Sequence, residues 1–150
     1  MAEARLIGSH LKIAFGQLKS VEKMTSSDPN APILMFYATE NLLKAIFTSE
    51  AIDESVLRQQ HGHHHIDRML DHLPDECTIK SKFESVVNLV AYATTYRYPT
   101  STGRIPKPPE EEEAKGFYNL LIEILDMCTK HFEVDVKLDE PQARSTSPMR

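Results

Sequence analysis

The chain has 150 residues, enough for one domain with a real core, and its 41% hydrophobic content suits a soluble globular protein. The formal charge of −5 argues against broad nonspecific binding to nucleic acid, while leaving room for a local basic pocket. No run approaches the length of a membrane span, and the Met1-Ala-Glu-Ala-Arg5 start lacks the basic and apolar regions of a secretion signal, so a cytoplasmic location is expected. Cys77 and Cys128, both inside helical patterns, are accordingly read as free thiols.

Ala4, Ile7, Leu11, Ala14, Leu18 and Val21 recur at alternating spacings of three and four, which predicts an amphipathic helix over residues 2 to about 25. The polar and proline-containing stretch 25–32 breaks it. A second helix, about 32 to 49, starts on Pro32, where a missing N–H costs little. Its polar residues Glu40, Asn41, Lys44 and Thr48 share one narrow arc, and Met35, Phe36, Leu42, Leu43, Ala45, Ile46 and Phe47 cover the rest. That width marks the most buried helix of the molecule.

Residues 50–62 read as a weaker helical or loop stretch. A short third helix, about 64 to 73, presents Ile66, Met69, Leu70 and Leu73 before Pro74. A fourth runs from 75 or 76 to 97 on a stripe of Ile79, Phe83, Val86, Val90 and Ala93, and the next step of that stripe is Arg97. Pro99 stops it. Residues 98–109 hold four prolines and one glycine, a stiff loop. Glu110 to Glu113 open the fifth helix, where negative charge suits the dipole, and Ala114, Phe117, Leu121, Ile124 and Cys128 carry it to about Phe132.

The expected fold is all-α: an up-and-down antiparallel bundle of four long helices plus a short fifth, with the proline-rich loop before the last helix. The bundle occupies residues 1–132. Residues 133–150 form an extended or disordered tail. In it Phe132, Val134, Val136 and Leu138 alternate like a strand without a partner, which suits an extended segment packing on a neighbour, and 139–150 read as disordered.

Arg97 places a permanent cation where a buried face meets a helix end, a costly position unless an anion meets it. A phosphate is one such anion, and Tyr98, Thr100, Ser101, Thr102, Arg104 and Lys107 stand ready to add stacking and hydrogen bonds. The competing role for Arg97 is to complement the helix's negative end or to pair with a glutamate of the fifth helix. Tyr92, Tyr96 and Tyr98 are read first as packing. His61, His63, His64 and His65 do not make a metal site, because consecutive helical residues point apart and a fourth ligand is lacking. No metal or cofactor is expected, and the chain has no glycine-rich phosphate loop.

Three segments together resemble the HEPN domain family, the nucleotide-binding domain of higher eukaryotes and prokaryotes. They are Phe36-Tyr-Ala-Thr-Glu40-Asn-Leu-Leu-Lys44-Ala, then His63-His64-His65-Ile66-Asp67-Arg68-Met69-Leu70, then Tyr92 with Tyr96-Arg97-Tyr98-Pro99. The resemblance spans roughly residues 5 to 132. It implies a helical bundle that dimerises, and it adds Glu40, Lys44 and His64 to the candidate ligand-binding residues. Members of the family are metal-independent RNases, nucleotide binders or partners of nucleotidyltransferase domains. The RNases use an arginine with a histidine four to six residues later. This chain departs from that pattern, since Arg97 is followed by Tyr-Pro-Thr-Ser-Thr-Gly-Arg and no histidine comes before His131. The expected function is therefore a non-catalytic module binding a nucleotide or RNA phosphate near Arg97, with no catalytic residue assigned. The alternatives are an RNase of toxin-like type and a purely structural dimerisation module.

Overall fold

Helix α1 (Ala2–Glu22) buries the stripe that its spacing foretells, with Ile7, Leu11, Ala14 and Leu18 almost wholly shielded and Ala4 and Val21 close behind. The structure is a computed structural model that describes residues 2–53, 55, 66–89, 92 and 98–150. Every described element in it is helical. Helix α2 (Asn30–Ser49) buries eleven of its twenty residues and packs along α1. Each large apolar side chain sealed in this contact stabilises the fold by about 1.5–3 kcal/mol. Helix α5 (Glu111–Phe132) closes the group, touching both α1 and α2. Two short helices, α3 (Ile66–Leu70) and α4 (Lys80–Glu84), contact each other, and α4 also meets α5. No described helix is long and apolar enough to cross a membrane.

Helix α2 begins two residues before Pro32. The N-cap is Pro29, and Asp28 just before it satisfies two first-turn amides: its carboxylate accepts the Asn30 N–H at 2.9 Å and its carbonyl the Ala31 N–H at 3.1 Å. The polar arc of Glu40, Asn41, Lys44 and Thr48 is half-buried, as the arc's narrowness implies.

The long fourth helix expected from residue 75 or 76 is not continuous. Residues 75–79 are turns, α4 covers only Lys80–Glu84, and turns follow over 85–88. Backbone bonds here close three residues apart, as in Cys77 N–H to Pro74 O (3.0 Å), Val86 N–H to Phe83 O (3.0 Å) and Leu89 N–H to Val86 O (3.0 Å). The Thr78 N–H, which a helix would aim at Pro74, donates instead to Met149 O at 3.1 Å. The apolar stripe survives the change of backbone: Ile79, Phe83, Val86 and Leu89 are fully buried. Val90, Ala93 and Arg97 lie outside the described residues, as does His64 with most of the 50–62 stretch.

The segment after α5 also differs from the reading of its hydropathy. Glu133 adopts a left-handed conformation (φ 52°), with its N–H on Lys130 O and the Val134 N–H on Thr129 O at 3.0 Å, the Schellman arrangement. Asp135 then takes the Lys137 N–H on its carboxylate (3.0 Å), which turns the chain and breaks the strand-like alternation. Residues 139–150 run as an extended strap over the chain's own bundle and bury Pro141, Ala143 and Met149. The strap is held by backbone bonds, Ala143 N–H to Ala4 O (2.9 Å) and Arg144 N–H to Phe132 O (3.0 Å), and by the ring of His131, whose Nε2 donates to Ser147 O at 2.7 Å. Polar composition suggested disorder because these grips are main-chain bonds and small side chains, which a hydropathy average does not register.

Two substitutions test this packing. A Cβ on Gly8 would lie 2.3 Å from Pro141 O, whereas one on Gly16, also inside α1, meets nothing within 4 Å. Glycine to alanine in a helix normally gains about 1 kcal/mol, so Gly16→Ala raises the unfolding midpoint, while Gly8→Ala lowers stability by about 1–3 kcal/mol by overpacking. A second test is Glu133→Gly, which relieves a left-handed non-glycine and gains about 1 kcal/mol, or about 2–4 °C in thermal unfolding.

Candidate functional site

The loop after Pro99 is built on a small closed turn. Thr100 N–H donates to Arg104 O (2.8 Å), Gly103 N–H to Thr100 O (2.8 Å), and Arg104 N–H to the Thr100 hydroxyl oxygen (3.0 Å). The Thr100 and Thr102 hydroxyls sit 3.0 Å apart. Gly103 stands at φ 80°, a conformation that L side chains rarely adopt, so the turn needs glycine there. Ser101, Thr102, Arg104 and Lys107 are exposed around it, and Tyr98 is 71% exposed. Pro109 is buried and anchors the loop where α5 begins.

The tyrosines divide. Tyr92 is half-buried, stands edge-on to Phe117 with ring centroids 6.2 Å apart, and donates its hydroxyl to Glu113 Oε1 at 2.9 Å. It ties the segment before the loop to α5 and is a packing residue. Tyr98 presents its ring to solvent. Tyr96 lies outside the described residues, together with Arg97 and His64.

Glu40 and Lys44 are half-buried, one turn apart on α2. Lys44 lines a cleft of about 450 Å³ with Glu3, His10, Thr48 and Asp53, and no residue of the 98–107 loop lines it. Its carboxylates and cations are mixed, which makes it a poor cradle for a polyanion. His10 Nδ1 donates to Asn41 Oδ1 at 2.9 Å, and the Asn41 amide donates to Gln17 Oε1 and to Tyr37 O, both at 3.2 Å. Since Asn41 Oδ1 only accepts, the ring carries its proton on Nδ1. The structure thus brings Thr100, Thr102 and Arg104 together in one turn and puts Lys44 in a separate cleft.

Among the described residues no group of three His, Cys, Asp or Glu side chains converges to hold a metal. Cys77 and Cys128 are free and buried, and burial raises the pKa of both thiols. Neither is an activated nucleophile.

Sequence reasoning missed one pair. The Arg150 guanidinium meets the Glu50 carboxylate through both nitrogens, with Nη2 to Oε2 at 2.8 Å, and the Glu50 side chain is only 5% exposed. Nothing in local periodicity joins two positions so far apart in the chain. The only hint is the carboxylate itself, placed directly after the most buried helix.

No protein-family model, no curated protein and no solved structure matches this chain.

Because Arg104 and Lys107 are exposed, Arg104→Ala and Lys107→Ala should each leave stability within about 0.5 kcal/mol of the parent in denaturant unfolding. Any loss of binding in these variants then reports on a ligand contact and not on the fold.

Proposed function

We propose that the chain is a HEPN-like module that binds a nucleotide or RNA phosphate near Arg97 without cleaving it. The observation that supports this reading is the self-bonded turn at 100–104, which holds Arg104 on an exposed surface beside a sequence already rich in donors. A guanidinium fork matches phosphate oxygens in geometry and charge. The exposed ring of Tyr98 offers a face on which a base can stack, and Lys107 adds a second cation. An up-and-down antiparallel arrangement of four long helices, homodimerisation, and a nucleotidyltransferase-type protein partner belong to the same reading. All of them rest on the three segments quoted above.

Cleavage is disfavoured by chemistry. A metal-independent RNase needs a general acid or base within reach of the scissile phosphate, and no histidine lies between Arg97 and His131. His131 itself spends its Nε2 proton on Ser147 O.

Titration with nucleotides and short RNAs is the direct test. Binding should weaken about tenfold or more in Arg97→Ala, in keeping with loss of a charged hydrogen bond worth about 1.5–3 kcal/mol, and RNA incubated with the protein in chelator should stay intact. Unchanged affinity in the variant refutes the proposal.

A further inference from the structure

The strap ends on an unusual contact. Glu50 caps the C-terminal end of α2, its N–H bonded to Ile46 O, and its carboxylate is almost wholly shielded from water. A buried carboxylate without a partner is strongly disfavoured, and a fork-to-fork arginine is the partner best able to satisfy both oxygens. Arg150 supplies that fork while remaining about half exposed itself (45%). The pair therefore has one wet member and one dry member. Removing the wet one strands the dry one.

Cys77 lies one residue from a contact with the strap. Its neighbour Thr78 donates its N–H to Met149 O (3.1 Å), Met149 is buried, and the charges of Glu50 and Arg150 both act on the Cys77 sulfur. Cys77 is 4% exposed, and Cys128, deeper in the same core, is 0% exposed. Further back the strap is held by main-chain bonds from Ala143 to Ala4 and from Arg144 and Ser145 to Phe132, by the His131 ring on Ser147 O, and by the close approach of Pro141 to Gly8. Beyond Ser147 the strap is held by the Thr78 amide and the ion pair, apart from the remaining grips.

We infer that residues 148–150 are a releasable latch, with Arg150–Glu50 as its clasp, and that opening the latch uncovers the Cys77 thiol and the Glu50 carboxylate while the bundle stays folded. Opening solvates Glu50, and that is what makes the open state accessible once the guanidinium is lost or screened. Salt weakens the clasp from its exposed side. Local opening of this kind sets the labelling rate of a shielded group without global unfolding.

The test is site-resolved thiol labelling of the full chain with iodoacetamide, read by peptide mass spectrometry. Cys77 should label about tenfold or more faster in Arg150→Ala than in the parent, with Arg150→Lys between them and Cys128 protected in all three. In the parent, raising sodium chloride from low to molar concentration should accelerate Cys77 alone. The salt series needs no variant, so it stands even where Arg150→Ala folds poorly. Cys77 labelling that ignores both salt and Arg150, or that rises only in step with Cys128, overturns the inference.

Discussion

The whole molecule depends on the burial of α2. Its apolar arc is too wide for one neighbour to cover, so α1 and α5 must both lie against it, and the three long helices share one core. Phe36, Phe47, Leu42, Leu43 and Ile46 are fully enclosed there, and interiors of this kind are packed to crystal density, so their shapes fix where the neighbouring helices sit. Thr39, the one polar side chain buried in this cluster among the described residues, returns its hydroxyl to Met35 O at 2.8 Å. It satisfies itself within the helix and asks nothing of the packing.

Once that core is set, the rest of the chain is fitted onto it by polar means. The short helices α3 and α4 bring Ile66, Leu70 and Phe83 into the same cluster, and the turns after α4 add Val86. The strap is added by main-chain hydrogen bonds and one shielded ion pair. A buried pair of this type is weak evidence for stability, because desolvation offsets most of its attraction. Its role is better described as fixing Arg150 against the C-terminal end of α2. The two regions of chemical interest, the loop at 98–107 and the strap, both lie outside the helical core. A rigid scaffold that carries its exposed donors on loops is the usual division of labour in proteins.

What the sequence made legible follows from period. The α1 stripe, the α2 arc and the α5 stripe repeat over five or more turns, and each is buried as its spacing requires. The stripe through Ile79, Phe83 and Val86 was legible as a buried face but not as a set of turns. Burial depends on which residues are apolar, whereas the path of the backbone also depends on where its amides bond, and the Thr78 amide bonds a distant partner, Met149. The strap was illegible for the same reason. Its contacts are made one residue at a time to Ala4, Phe132, Thr78 and Glu50, and none of these leaves a local pattern. The resemblance to HEPN domains draws on three segments; of their candidate residues Arg97 and His64 lie outside the described residues, whereas Glu40 and Lys44 lie on α2 and Tyr98 opens the loop.

The turn at 100–104 bears on how anything would dock there. A flexible cationic loop must lose conformational freedom when it grips an anion, and that loss subtracts from affinity. Here the amides of Thr100, Gly103 and Arg104 are already committed to one another, and a left-handed glycine holds the bend. The backbone is ordered before any encounter, so what is left to freeze is the exposed side chains, Tyr98, Arg104 and Lys107 among them. A ligand that docked there would meet a backbone shape set in advance, and cations carried on side chains that ordering would still have to fix.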